Sequence, residues 1–194
     1  MIKDLVAIIV CILTACFVAI AATVEGLFLY GVPIILLCAV LSFVVHWIIA
    51  VPSVLTGSEK YFDLTGMIAA LLVVFTVMFA LLNSGQQGSI RSTIVAVFVS
   101  IWSLRLGTFL YKRIVKSGED TRFREIKNSL PKFLMVWTLS ALWVFLTTVN
   151  AITIIALNSQ EPLGWFFLIG ATLWVLGFVF EAVADRQKKS FAEL

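Results

Sequence analysis

The chain has 194 residues, 61% of them hydrophobic and only 13% charged, with a formal net charge of +3 and a mean hydropathy of +1.08. A soluble domain of this size must wet its whole outside, and this composition excludes that. An integral membrane protein is expected, and no nucleic-acid partner.

Apolar runs recur at the length a bilayer core demands, about 20 residues for roughly 30 Å. In chain order they extend from Leu5 to Thr23, Leu27 to Val51, Leu64 to Leu82, Thr93 to Tyr111, Phe133 to Leu157 and Leu163 to Ala184. They lack the alternation of barrel strands, so the expected fold is an all-α, polytopic membrane helix bundle of six transmembrane helices. With no long linker or repeat, residues 1–194 are read as a single membrane domain. The first run has Lys3 before it and Ala19-Ile20-Ala21 near its end, as a secretory signal would. It is too long for one, and a second span follows directly after Glu25-Gly26, so it is read as a retained helix.

Orientation follows from the 14 Lys and Arg. If the helices alternate, Lys3, Lys60, the seven cations between Lys112 and Lys132, Arg186, Lys188 and Lys189 fall on one side and only Arg91 on the other, with Arg105 inside a span. By the positive-inside rule both termini are cytoplasmic, and the basic face attracts anionic membrane lipids. Cys11, Cys16 and Cys38 lie within apolar runs without metal or redox spacing and read as small core residues.

Unusual polar groups gather at the basic level of four spans. Asp63 is read as the cap of the third helix, and His46, one turn after Ser42, as an interhelical hydrogen-bonded residue. Arg105 within the fourth span is costly in lipid and calls for an acid; Glu181 is the obvious partner, either as a clasp between helices four and six or as part of a polar cavity. Glu181, Asp185 and Lys188 share one face of the last helix. The fourth loop supplies Lys112, Arg113 and Lys116, then Gly118-Glu119-Asp120-Thr121-Arg122-Phe123-Arg124. Arginine forks match phosphate oxygens, and Lys188 adds a point charge. Neither a Walker A loop nor GxGxxG is present, so any nucleotide is held by another fold.

Ser58-Glu59-Lys60-Tyr61-Phe62-Asp63-Leu64-Thr65-Gly66, Arg105-Leu106-Gly107 with Glu119-Asp120-Thr121-Arg122-Phe123, and the stretch from Gly177 to Phe191 together resemble the bacterial steroid 5-alpha-reductase-like membrane proteins. The resemblance covers most of the chain from about Thr56 onward. It implies an NADPH-dependent reductase of the bacterial cytoplasmic membrane that delivers hydride to a carbon-carbon double bond of a lipid-like enone. Carried over by position, Arg105, Arg122, Glu181, Asp185 and Lys188 become cofactor-binding residues, and Tyr61 or a protonated Glu59 becomes the donor that polarises the substrate oxygen. In that family a further hydrophobic segment with a His-Pro-Asn-Tyr-like motif follows. This sequence stops at Leu194 with no His after His46, so a truncated product, or a short protein that has lost or never completed the catalytic site and is inactive, is expected; a partner subunit could supply the missing helix.

Two other readings accompany it. An isoprenylcysteine-type membrane methyltransferase resembles the same fold and would bind S-adenosylmethionine instead. A non-enzymatic scaffold or small transporter is the third; against the transporter, only the second span is interrupted, by Pro33 near its outer end.

Overall fold

The computed structural model describes residues 1–23 and 27–191; the Glu25-Gly26 connector and Leu194 lie outside them. Among the described residues six helices are long and apolar enough to cross a membrane, and the protein is a multi-pass helical membrane protein. They are α1 (Ile2–Ala21), α2 (Ile34–Thr56), α3 (Phe62–Asn83), α4 (Ile90–Ser117), α5 (Leu130–Leu157) and α6 (Trp165–Phe191). The chain divides into two compact units, Met1–Ser159 and Gln160–Leu194, so α1 to α5 form the first and α6 the second.

Helix boundaries depart from the apolar runs where local backbone chemistry overrides hydropathy. The second run begins at Leu27, but α2 starts only at Ile34, because Phe28–Leu29 (β1) and Val32–Pro33 (β2) pair antiparallel as a small hairpin. Its two-residue loop, Tyr30-Gly31, has positive φ at both positions (50° and 79°), the geometry that closes a tight hairpin. Pro33 is therefore the N-cap of α2 and not an interruption within it. The proline inside α2 is Pro52, and the helix closes at Gly57 in the left-handed region (φ 59°). There the Ser58 N–H reaches the Ser53 carbonyl at 3.0 Å, the glycine-dependent stop of a helix.

Helices α4, α5 and α6 all run past their apolar stretches. Hydropathy ends where lipid ends, whereas Lys, Arg and Tyr continue a helix into the interface without penalty. Thus α4 carries Lys112, Arg113 and Lys116 on its last turns before Gly118 ends it. The connection is shortened to residues 118–129, with one 3-10 turn at Thr121–Phe123. Asp63 does not cap α3: the N-cap is Tyr61, and Asp63 stands in the first turn, where an acid meets the positive helix end.

Within the first unit α5 is the central helix, in contact with α1, α2, α3 and α4. It buries Trp137, Ala141, Phe145, Ile152 and Ile155 completely. Neighbours approach through small residues, as van der Waals packing between lipid-embedded helices requires. The buried stripe of α1 is Cys11, Ala15 and Ala19, one residue per turn. Polar side chains rivet the α2–α5 seam: Ser42 Oγ donates to the Ala141 carbonyl at 2.9 Å and Trp47 Nε1 to Thr138 Oγ1 at 3.1 Å.

Candidate functional site

Between α3, α4 and α5 lies a cavity of about 470 Å³. Its walls are Gly66, Met67 and Ala70 from α3, Trp102, Ser103, Leu106, Gly107 and Leu110 from α4, and Val136, Leu139, Ser140, Trp143, Val144 and Thr147 from α5. From Val136 to Thr147 it follows roughly 16 Å of helix α5. One end is polar and basic: Asp63 and Arg122 line it, with Phe62, Phe123 and Ile126. An apolar slot with a charged mouth suits an amphiphile whose polar end stays at the interface.

Gly107 shapes the slot. A Cβ there would overlap Met67 Cβ and crowd its thioether, so α3 and α4 cross closely only because residue 107 has no side chain. That gives the Arg105-Leu106-Gly107 segment a packing role.

The mouth is built by the 118–129 connection, which is polar in sequence but firmly attached. Phe123, 3% exposed, packs edge-on against Phe62 with ring centres 5.0 Å apart and against Phe133 at 6.1 Å. Phe62 and Phe133 in turn contact Trp137 at 5.1 and 6.1 Å. A second attachment is ionic. The buried Glu59 carboxylate accepts the Asp120 N–H at 2.7 Å through Oε1 and pairs with Lys127 through Oε2. Burial pushes the Glu59 carboxyl up, but the Lys127 ammonium and the Asp120 N–H outweigh it and hold the group below its ordinary range.

Asp120 caps the 3-10 turn, accepting the Arg122 N–H at 3.0 Å, and both its oxygens take the Arg122 Nε–H at 2.9 Å, with Nη2 completing the fork. The Arg122 hydrogen bonds hold Asp120 below the usual carboxylate range and raise Arg122 further. Asp120 occupies the Nε–Nη2 edge of the guanidinium, while the Nη1 side, which is outside that fork, belongs to a side chain 61% exposed at the cavity mouth. An arginine buttressed in this way fits an anion on its outer edge.

The residues singled out from the sequence separate into three groups. Arg122 lines the cavity mouth. Glu59 and Tyr61 sit on the α2–α3 connection beside it, outside the lining: Glu59 is ionised and accepts hydrogen bonds, and Tyr61, 47% exposed, stacks on Tyr111 with ring centres 6.2 Å apart. Arg105 is half-buried on α4, next in sequence to the lining residue Leu106 and two positions after the lining residue Ser103. Glu181, Asp185 and Lys188 follow one another at helical spacing on the last turns of α6. Arg105 belongs to the first unit and Glu181 to the second.

Sequence reading missed Asp63 as a lining group, together with the lining hydroxyls Ser103, Ser140 and Thr147. His46 is fully buried; its Nδ1 lies 2.7 Å from the Ser42 carbonyl oxygen and its Nε2 3.2 Å from Ser140 Oγ. It is the interhelical hydrogen-bonded residue expected, and it connects α2 to the cavity wall.

The family model described as protein of unknown function (DUF1295) matches residues 46–194. The chain belongs to this family. Every lining residue of the cavity, from Phe62 to Thr147, falls inside the matched region, as does His46. No curated protein and no solved structure gives a match.

Proposed function

We propose that this DUF1295 protein is a membrane reductase that uses NADPH to saturate a carbon-carbon double bond of a lipid-like enone, in the manner of the steroid 5-alpha-reductases its motifs resemble. The observation that carries this reading is the apolar cavity between α3, α4 and α5 with an arginine at its mouth. Such a slot excludes water from the reacting carbon and keeps charge at one end, the division that hydride addition to a conjugated ketone requires.

In this reading NADPH supplies the hydride. The chain's own residues do the rest. Arg122, positioned by Asp120, holds a phosphate, and Arg113 adds positive charge. Glu59 acts by fixing the loop through Asp120 and Lys127 in place of donating a proton. Tyr61, immediately before the mouth residues Phe62 and Asp63, provides the O–H that polarises the substrate oxygen. Arg105 adds to the polar surround of the cofactor. A lipid substrate reaches the slot from the bilayer, in a bacterial cytoplasmic membrane, and a partner subunit contributes any further helix the site needs.

The test is a titration of the purified 194-residue chain in lipid nanodiscs with NADPH, NADH and S-adenosylmethionine. Saturable binding that prefers NADPH, weakened by Arg122→Ala, supports the reductase. Preference for S-adenosylmethionine replaces it with the methyltransferase reading. Binding of none of the three overturns it in favour of a scaffold.

A further inference from the structure

The hydroxyl of Ser140 has its proton already assigned, which dictates what can meet it. The Ser42 carbonyl oxygen can only accept, so the 2.7 Å contact requires that His46 Nδ1 carry a proton. The opposite tautomer would set a nitrogen lone pair against an oxygen lone pair. With Nδ1 protonated, the neutral ring presents Nε2 as an acceptor, and the Ser140 O–H, 3.2 Å away, donates to it. His46 cannot swing aside, because it is fully buried on α2 and packed edge-on against Trp137, itself fully buried on α5. If Ser140 turned its proton into the cavity, a buried ring nitrogen would be left unsatisfied.

Ser140 thus offers the cavity lone pairs only. Ser103, on the facing helix, has the same polarity: its Oγ–H donates to the Val99 carbonyl at 2.7 Å. Both residues line the slot.

We infer that Ser140, with its proton held by His46, is a specificity-determining acceptor that selects ligands bearing a hydroxyl where they meet it inside the slot, and discriminates against a ketone at that place. The inference rests on the cavity being the lipid site of the proposed reductase and narrows its substrate class to a hydroxylated enone. Ser140 touches the ligand; His46 is a positioning residue that acts through it.

Testosterone and androstenedione are suitable probes, since they share one enone and differ only in a hydroxyl or a ketone on the far ring. Their affinities for the full chain in nanodiscs are to be measured with NADPH titrated in parallel. One hydrogen bond gained by the alcohol should favour testosterone by about tenfold. Ser140→Ala should abolish the preference, and Ser140→Thr should restore it. His46→Phe removes the acceptor, frees the hydroxyl to donate, and should shift the preference toward androstenedione; a retained melting temperature identifies the variants that can be read, and Ser140→Ala alone decides if His46→Phe does not fold. Equal binding of the two steroids to the parent, preference for the ketone, an unchanged preference in Ser140→Ala, or binding of neither steroid overturns the inference. Alcohol preference without NADPH binding leaves the inference standing and removes the reductase; NADPH binding without alcohol preference does the reverse.

Discussion

The two ends of the first unit are closed by different chemistry. At the basic end, the α4–α5 connection is held by an aromatic plug and by ionised groups: Phe123 among Phe62, Phe133 and Trp137, and Glu59 between Lys127 and the Asp120 N–H. At the opposite end a neutral amide ties the helices together. Asn158, in the left-handed region at φ 45° where α5 ends, accepts the Ser89 N–H at 2.7 Å and the Ser92 hydroxyl at 3.3 Å, and donates to the Gln87 carbonyl at 2.9 Å and to Gln86 Oε1 at 3.3 Å. It ties the α3–α4 connection to the end of α5 without a charge. Attachment by charge is open to protons, salt and competing anions, whereas a saturated amide is open to none of them. The cavity mouth lies at the charged end, where an anionic ligand could couple to loop geometry.

The largest way to break this contrast is Phe123→Ala. Removing a ring 3% exposed should cost about 3–5 kcal/mol, read by thermal melting in detergent. Amide exchange should rise across residues 118–129 and stay slow around Ser89 and Asn158. Uniform exchange along the chain would show that the two closures are not independent.

Asn158→Ala comes next, at about 2–3 kcal/mol, since it strands several buried partners and puts alanine at a positive φ. Its cost should be the same in low and high salt; a salt-dependent loss would contradict a neutral closure.

Glu59→Gln sharpens the comparison through pH. Glu59 and Asp120 are both held below their ordinary values of 4.5 and 3.8, so the stabilisation they give is present above those values and fades as pH falls through the lower, folded ones. The parent should therefore exceed Glu59→Gln by about 1–2 kcal/mol at neutral pH, and melting curves of the two should converge in acid. Asn158→Ala should keep its deficit over the same range.

The smallest stability effect belongs to Arg122→Ala, within about 1 kcal/mol for a side chain 61% exposed. Its consequence should appear in NADPH affinity instead, so a melting shift as large as that of Phe123→Ala would make Arg122 a structural residue.

Local chemistry alone makes much of this legible. Runs of about 20 apolar residues announce helices because no other open structure satisfies its backbone in lipid, and a histidine inside an apolar run announces a hydrogen-bonded partner. The hairpin before α2 was also written in the chain, in Tyr30-Gly31 and Pro33, but the uninterrupted hydropathy from Leu27 masked it. Arg122 could be chosen as a mouth residue because loop arginines near a charged motif have few other uses.

Other features have no local signature. Phe123 sits among Arg122, Arg124 and Asp120, and only packing against Phe62 and Phe133 shows that this polar segment has a buried anchor. Ser140 is one of many serines in apolar helices, singled out by a histidine 94 positions away. Gly107 matters because of Met67 on another helix. Composition and periodicity determine how each segment meets lipid, since that is a property of neighbouring residues. Which side chains share a cavity, and where their protons point, is decided by the pairing of helices, because those contacts join residues whose separation in sequence carries no period.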